Sequence, residues 1–272
     1  MKKWMYNALI CIFAAVFVIS AGMLIWYWVD GNNQSQQFED LSALVQQARP
    51  TAPQTGTQDT ASEAPAEPWI TINDPETGEA VKVLPEFAQL YTMNNDLVGW
   101  IRIPDTRIDY PMMQTPDRTD YYLRRNFEKK KATHGCIYAK EECDLATSDN
   151  VTIYGHYMRN GSMFAALGNY KTQAFWEEHK IILLDTLTQR RRYEIFAVFL
   201  TTASAGKGFS YHTFIQADSA QDYDDFVSRC KELSLYDTGI TPQYGEKLIT
   251  LSTCEKNISN GRLVVVARLV DE

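Results

Sequence analysis

The stretch LITLSTCEKNISNGRLVVVARLV, residues 248–270, contains two runs of apolar and β-branched residues joined by the polar link EKNISN. Such runs predict two strands, and so short a link makes them antiparallel neighbours. Cys254 then ends the first strand and Arg262 begins the second, on strands about 4.8 Å apart. Arg268 lies about 20 Å further along. We therefore expect Arg262, and not Arg268, beside Cys254. A core cysteine next to a surface arginine is the alternative that this pattern leaves open.

Six more strand-like runs precede this hairpin, with Pro, Gly and Asp between them: residues 98–104, 108–114, 135–139, 150–156, 180–186 and 191–202. Eight short strands at close spacing predict an antiparallel barrel or sandwich. Residues 219–237 depart from this pattern, because their apolar side chains follow helical spacing. They predict a helix inserted between the sixth and seventh strands. Residues 85–95 predict a short helix ahead of the first strand.

The N-terminal part of the chain carries an apolar segment. Residues 4–29 have no charged side chain, and at 1.5 Å per residue they extend about 39 Å, more than the roughly 30 Å core of a bilayer. A cleaved signal peptide has a shorter apolar core. We expect an uncleaved transmembrane anchor. Lys2 and Lys3 precede it, so the positive-inside rule places the N-terminus in the cytoplasm and the rest of the chain outside.

Three parts of the chain follow from these patterns: residues 1–29 with the anchor, residues 30–67, and a folded domain at 68–272. Within the second part, Phe38, Leu41, Leu44 and Val45 predict a short juxtamembrane helix. Residues 49–67 are rich in Pro, Thr, Ala and Gln, which predicts a disordered, flexible linker.

Charge and cysteine content limit the possible partners. The 272-residue chain has a net charge of -8, which argues against nucleic acid as a main partner. It lacks the short-spaced ligand pairs of a structural zinc site. Outside the anchor, Cys136 and Cys143 are near enough in sequence to pair, and Cys230 has the position of a buried thiol. Which cysteines pair is left open.

The four histidines differ in their sequence context. His134, His179 and His212 lie in charged, helix-end and polar segments, where surface or structural roles are expected. His156 ends a strand-like run at a loop, a place where catalytic residues are common.

Several motifs together resemble the sortases, membrane-anchored transpeptidases of Gram-positive-type bacteria. They include TLSTC at 250–254 with an arginine eight residues on, and YGH at 154–156. The class B group is the closest likeness. The stretches that carry it are NNDLVGWIRIPDTRIDYPMMQ at 94–114, DYYL at 120–123, HGCIYA at 134–139 and NVTIYGHYMRNGSMFAAL at 150–167.

The resemblance implies an eight-stranded sortase barrel and assigns roles to six residues. Cys254 is implied as the nucleophile, His156 as the acid and base, and Arg262 as the donor to the substrate carbonyl and oxyanion. Substrate contact is implied for Ser252, Tyr211 and Leu123. Neither a metal nor an organic cofactor is implied. Class B members often have an asparagine shortly before YYL, where this chain has Arg118 and Thr119, so the sorting motif stays open.

The implied reaction cleaves a C-terminal sorting signal of a secreted protein after Thr and passes the protein to the amine of a lipid-linked peptidoglycan precursor. A pilin polymerase that uses a lysine amine is an alternative. Papain-like peptidases fit less well, because there the cysteine precedes the histidine. A non-catalytic anchored β-domain is the remaining alternative, and it requires Cys254 to be buried or disulfide-bonded.

Overall fold

The computed structural model describes residues 3–49, 68–204 and 206–271. Among them are ten strands. Eight of these form one closed barrel and two form a separate hairpin. In chain order the strands are β1 (Ile70–Asn73), β2 (Ala80–Val83), β3 (Leu97–Arg102), β4 (Asp109–Met113), β5 (Ile137–Ala139), β6 (Asn150–Tyr154), β7 (Ile181–Thr186), β8 (Arg190–Thr202), β9 (Leu248–Glu255) and β10 (Gly261–Asp271).

The barrel closes in the strand order β10-β8-β7-β3-β4-β5-β6-β9. Each of the eight strand-like runs in the sequence contains one barrel strand, so the predicted barrel is confirmed. Most neighbours are antiparallel, but β4 pairs with β5 and β6 pairs with β9 in parallel. The β6–β9 pair matters most for function, because the chain leaves both strands at the same end of the barrel.

The β1–β2 hairpin lies outside the barrel and was not predicted. Its strands have only four residues each and are largely exposed, so they lack the apolar alternation that marks a core strand. Asp74 closes the turn, because its carbonyl accepts the Gly78 N–H at 2.9 Å. Gly78 has φ +75°, a conformation that glycine adopts without strain.

Four α-helices are present in the described residues: α1 (Lys3–Ala48), α2 (Ala88–Met93), α3 (Gln173–Glu178) and α4 (Ala220–Leu233). Helix α4 is the predicted insertion between the sixth and seventh barrel strands. Ser219 caps it by accepting the Asp222 N–H at 3.2 Å. Its apolar face packs in a cluster with Phe196, Phe199 and other buried residues of the barrel strands.

Helix α1 has two parts with different surroundings. Residues 3–25 are apolar and exposed, and they are long enough to cross a membrane. Beyond them the same helix packs on the barrel through Phe38, Leu41 and Val45, which are at most 3% exposed. The Phe38 ring meets the Tyr110 ring edge-on, with centroids 5.3 Å apart. The apolar residues of the predicted juxtamembrane helix therefore form a docking face.

Polar contacts fix the end of α1. The Arg49 guanidinium lies 2.8 Å from the Asp185 carboxylate and 3.8 Å from that of buried Glu86. Arg190 also reaches Glu86, at 2.6 Å. Ser42 donates to Asp109 at 2.8 Å. The predicted flexible linker continues beyond Arg49, and its residues 50–67 lie outside the described residues.

Three cysteines of the folded domain are buried free thiols: Cys136, Cys143 and Cys230. Burial raises the pKa of each thiol, which keeps it protonated. The buried thiol expected for Cys230 is confirmed, and Cys136 and Cys143 are not bonded to each other.

Replacement of Phe38 by alanine is expected to loosen α1 from the barrel. Deleting a buried aromatic side chain costs about 3–5 kcal/mol, so thermal unfolding of the detergent-solubilised chain will begin at a lower temperature. Glu39→Ala, at an exposed position of the same helix, is the matched control. An equal midpoint in both variants would contradict the docking.

Candidate active site

A pocket of about 290 Å³ opens at the end of the barrel where β6 and β9 end and β10 begins. All six residues singled out in the sequence line it: Leu123, His156, Tyr211, Ser252, Cys254 and Arg262. The fold thus brings together residues that lie far apart along the chain.

The β9–β10 pairing sets Cys254 directly opposite Arg262. Directly opposed residues of antiparallel strands project from the same face of the sheet, so the expected neighbourhood is confirmed. Arg268 pairs with Leu248 at the far end of the same two strands. There it binds Glu194 at 3.0 Å and Glu246 at 3.3 Å.

The parallel β6–β9 pairing brings His156 to the other side of Cys254. Tyr154 lies beside Ser252 in this pair, and the Gly155 N–H donates to the Ser252 carbonyl at 3.1 Å. His156 and Cys254 each lie two residues beyond the Tyr154–Ser252 pair, and adjacent strands are about 4.8 Å apart. Cys254 therefore lies between a histidine and an arginine.

Gly155 is a position where no side chain fits. A Cβ there would lie 2.5 Å from Ile137 Cδ1 and 2.6 Å from Phe164 Cδ2. Real Cβ atoms do not approach so closely, so any other residue would have to displace the fully buried side chains of Ile137 and Phe164 beside His156.

Cys254 is the exposed thiol of the folded domain and is not in a disulfide. Its neighbour Thr253 is 2% exposed, as strand alternation requires for residues that face opposite sides. The alternative of a non-catalytic β-domain, which requires a buried or bonded Cys254, is therefore wrong.

Backbone carbonyls orient the two polar side chains beside Cys254. His156 Nε2 donates to the Leu123 carbonyl at 2.8 Å. A carbonyl only accepts, so Nε2 carries the proton, and Nδ1 holds the lone pair when the ring is neutral. Arg262 Nη1 donates to the Gly261 carbonyl at 3.0 Å and to that of Asn260 at 3.3 Å.

A buried hydroxyl pair forms a further part of the wall. Tyr211 Oη and Ser252 Oγ lie 2.7 Å apart. Burial raises the pKa of Tyr211, although Ser252 and the charge of Arg262 oppose that rise. The phenol therefore stays neutral and keeps a hydrogen to donate.

Other pocket residues were missed in the sequence, among them Asp120, Tyr138 and His212. Asp120 has φ +52° and accepts a hydrogen bond from the Tyr138 hydroxyl at 2.6 Å. His212 was expected to be a surface or structural residue, yet it is half-buried in the pocket wall. Burial and the nearby Lys140 charge lower its pKa. No periodic pattern marks Asp120 and His212, because loops and short turns carry them.

The remaining histidines lie away from the pocket. His134 is 2% exposed, and its backbone N–H donates to Gln34 Oε1 of α1 at 2.9 Å. His179 follows α3 and bonds the Phe175 carbonyl at 3.0 Å. Both have the structural settings that were expected.

An ion pair connects the two segments that carry Cys254 and His156. Glu255 follows Cys254, and its buried carboxylate pairs with Lys171. Lys171 ends a 3₁₀ helix, Phe164–Lys171, that begins shortly after His156. At its start, the Phe164 N–H donates to the His156 carbonyl at 3.0 Å.

Comparison with known proteins assigns the family. A family model described as the Sortase domain matches residues 101–270. The sortase B of Listeria monocytogenes is 35% identical over 192 residues, which are 70% of this chain and 76% of that protein. The chain belongs to the sortase family, class B. Sortases are cysteine transpeptidases of the cell surface, so this sortase is an enzyme of that class.

Solved structures support the same assignment. A crystal structure of sortase B from B. anthracis in complex with AAEK1 matches with a TM-score of 0.68 at 28% identity, covering 90% of this chain and 100% of that one. A Staphylococcus aureus sortase B–substrate complex matches with a TM-score of 0.63 at 31% identity, covering 70% of this chain and 86% of that one. The resemblance stated from the motifs is confirmed.

In the described part of this sortase, no group of three or more His, Cys, Asp or Glu side chains is arranged to hold a metal ion.

Lys171→Met is expected to destabilise this sortase at neutral pH and to do so less in acid. Burial opposes ionisation of Glu255, but Lys171 and backbone N–H groups outweigh it and hold the pKa of this carboxyl below its ordinary value of 4.5. A lowered folded-state pKa gives a stabilisation that is present above 4.5 and is lost as the pH falls through the folded-state value.

The measurement is the unfolding midpoint of both proteins from neutral to acid pH. The gap between them should narrow below pH 4.5. In a Glu255→Gln background, Lys171→Met should cost little at any pH. A gap that keeps its size in acid would show that the lysine acts through packing alone.

Proposed function

We propose that Cys254, His156 and Arg262 form the catalytic centre of this sortase. In this proposal the enzyme cleaves a C-terminal sorting signal after Thr and transfers the protein to a cell-wall precursor amine. The observation that carries the proposal is the position of Cys254. It is an exposed free thiol at the end of β9, between His156 on the β6 side and Arg262 on the β10 side.

In the first half-reaction the Cys254 thiolate attacks the carbonyl carbon of the threonine. A C–S bond forms, and the carbonyl oxygen becomes an oxyanion, which Arg262 stabilises by donating hydrogen bonds. The C–N bond then breaks, and His156 gives a proton to the departing amine. The product is a thioacyl-enzyme.

In the second half-reaction an incoming amine attacks the thioacyl carbon, and His156 accepts the amine's proton. The C–S bond breaks, a new amide forms, and Cys254 leaves as thiolate. The proton at His156 Nε2 is engaged with the Leu123 carbonyl. We therefore assign the transfers to Nδ1, which has its lone pair available in the neutral ring.

We assign substrate contact to Leu123, Tyr211 and Ser252. All three line the pocket, and the Tyr211–Ser252 hydroxyl pair, 2.7 Å apart, gives it a polar patch. Leu123 is half-buried beside His156. Together they offer one apolar and one hydrogen-bonding wall to an extended peptide.

The proposed location of the enzyme is supported by the helix Lys3–Ile25, which is long and apolar enough to span a membrane. We propose a single-pass protein with its N-terminus in the cytoplasm and its catalytic domain outside. We retain residues 1–29 as the anchor segment, 30–67 as the connecting segment and 68–272 as the catalytic domain. The amine is then that of a lipid-linked peptidoglycan precursor in the same membrane.

Substitutions at the three central residues test the chemistry. Cys254→Ala should abolish thioacyl-enzyme formation with sorting peptides, as followed by mass spectrometry, and His156→Ala should nearly abolish it. Arg262→Lys should lower kcat/KM by about 100-fold or more, because a lysine lacks the planar fork of donors.

Arg268→Lys is the matched control, since Arg268 lies on the same strand at the opposite end of the barrel. Its kcat/KM should stay within a fewfold of the parent value. Equal losses in Arg262→Lys and Arg268→Lys would overturn the role of Arg262. Circular dichroism of each variant separates loss of chemistry from loss of fold.

The choice of amine is tested on the preformed thioacyl-enzyme. A peptidoglycan stem-peptide amine should release it faster than water does and faster than the lysine of a pilin domain. Faster release by the pilin lysine would assign the enzyme to pilus assembly and contradict the proposed acceptor.

A further inference from the structure

One loop of the folded domain has a charge opposite to that of the chain. Residues 124–131, here called the basic hairpin, have the sequence RRNFEKKK, with five basic residues and one acidic residue. The whole chain has a net charge of -8. The described structure places this concentration of positive charge between the 3₁₀ helix Tyr121–Arg124 and strand β5.

The basic hairpin has a defined backbone. Arg125 and Lys131 form an antiparallel bridge. The Asn126 N–H donates to the Lys130 carbonyl at 2.9 Å, and Lys129 adopts φ +63° at the turn. The loop therefore presents its side chains from a fixed scaffold.

Two of the five basic side chains are engaged within the domain. Lys129 lies 3.3 Å from the Asp96 carboxylate and 3.5 Å from that of Glu76. Arg125 is half-buried over the Tyr121 ring.

The other three, Arg124, Lys130 and Lys131, are exposed. Lys130 meets Glu128 at 2.5 Å, with both side chains open to solvent. An exposed pair of this kind binds weakly, so it leaves the surface of the hairpin positive.

The contacts between this loop and α1 show where the basic hairpin lies relative to the apolar segment. Its Asn126 donates to Gln37 of α1 at 3.2 Å. Shortly after the hairpin, the His134 N–H donates to Gln34 at 2.9 Å, and a Cβ on Gly31 would lie 3.2 Å from the His134 ring.

These contacts come directly after the apolar segment. Along the helix axis, Gly31 lies about 3 Å and Gln37 about 12 Å beyond Val29. Arg49, which contacts Asp185 at the other end of the docking face, lies about 30 Å beyond Val29. The loop that contains the basic hairpin and His134 therefore lies at the end of the docking face that is nearer to the apolar segment.

We propose that the basic hairpin binds the anionic phospholipid headgroups of the membrane that anchors the chain. The hairpin contacts α1 at Gln37, about 12 Å beyond Val29, a distance comparable to the Debye length of roughly 8–10 Å. Basic side chains at that distance are attracted to anionic lipid, by roughly fivefold in the binding equilibrium for each side chain.

Leu123 connects the basic hairpin to the pocket. Leu123 immediately precedes the basic hairpin, and its carbonyl accepts the hydrogen bond from His156. The lipid contact would hold this wall of the pocket near the bilayer, where a lipid-linked amine is presented. This consequence rests on the proposed transpeptidase function, whereas the lipid contact itself rests only on the proposed membrane anchor.

The test uses the full chain in nanodiscs of phosphatidylcholine, alone or mixed with phosphatidylglycerol. Hydrogen–deuterium exchange of residues 124–134 is the measurement. We expect slower exchange in the anionic discs. Salt at 1 M shortens the Debye length to roughly 3 Å and should remove the difference between the two discs.

Replacement of Arg124, Lys130 and Lys131 together by glutamine should remove most of the protection in anionic discs. The control replaces Arg192, Lys207 and Arg229 by glutamine, which changes the net charge equally at exposed positions on β8, in the loop after it and on α4. The control should keep the protection.

Equal exchange in both discs, or equal loss in the two triple variants, would overturn the proposal. Protection that requires an added anionic wall polymer and is absent with phosphatidylglycerol alone would overturn it as well. Transpeptidation of a soluble peptide by the variant with Arg124, Lys130 and Lys131 replaced is measured in parallel. It separates loss of the membrane contact from loss of catalytic activity. Normal turnover with lost protection identifies a membrane contact, and failure of Cys254 chemistry bears only on the proposed function.

Discussion

The parallel pairing of β6 with β9 is the constraint on which the site depends. These strands are distant in sequence, and only their shared direction brings the residue after Gly155 to the same barrel end as Cys254. The register is fixed by polar contacts at the other end as well: Asn150 Oδ1 accepts from the Thr250 hydroxyl at 2.8 Å, and the Leu248 N–H donates to Asp149 at 2.7 Å. A slip of one residue would turn the Cys254 side chain into the barrel interior, so these distant bonds determine where the thiol points.

The side chains around Cys254 are held mainly by groups that do not take part in chemistry. The Leu123 carbonyl holds the imidazole of His156, and Tyr211 holds Ser252. The pair of Lys171 with Glu255 ties the two chain segments behind them. These contacts preorganise the polar side chains around Cys254 before a substrate binds, so less free energy is needed to reorganise them during the proposed reaction.

The sequence predicts those elements of the fold that depend on a local pattern of residues. Strand runs, the α4 insertion and the Cys254–Arg262 hairpin all follow from periodicity and link length. It does not predict that β6 and β9 are neighbours, because alternation shows that a strand has a buried face but not which strand it pairs with. For the same reason, the apolar face at Phe38 was recognised, while its partner Tyr110, on a distant strand, was not. Asp120 and His212 reach the pocket from irregular segments, where neither spacing nor composition distinguishes a pocket residue from a surface residue.

The length of α1 has a consequence for how the enzyme meets its substrates. The helix is unbroken from Lys3 to Ala48, and it is locked to the barrel by Phe38 and Arg49. With residues 3–25 in a bilayer, this attachment would hold the folded domain close to the membrane surface, where it would move by lateral diffusion. Encounter becomes a search in two dimensions, which raises the effective concentration of any substrate tethered to the same membrane at a matching height. In the proposed arrangement, a soluble protein that lacks such a tether would gain no such concentration, so the helix itself would favour clients held at the membrane.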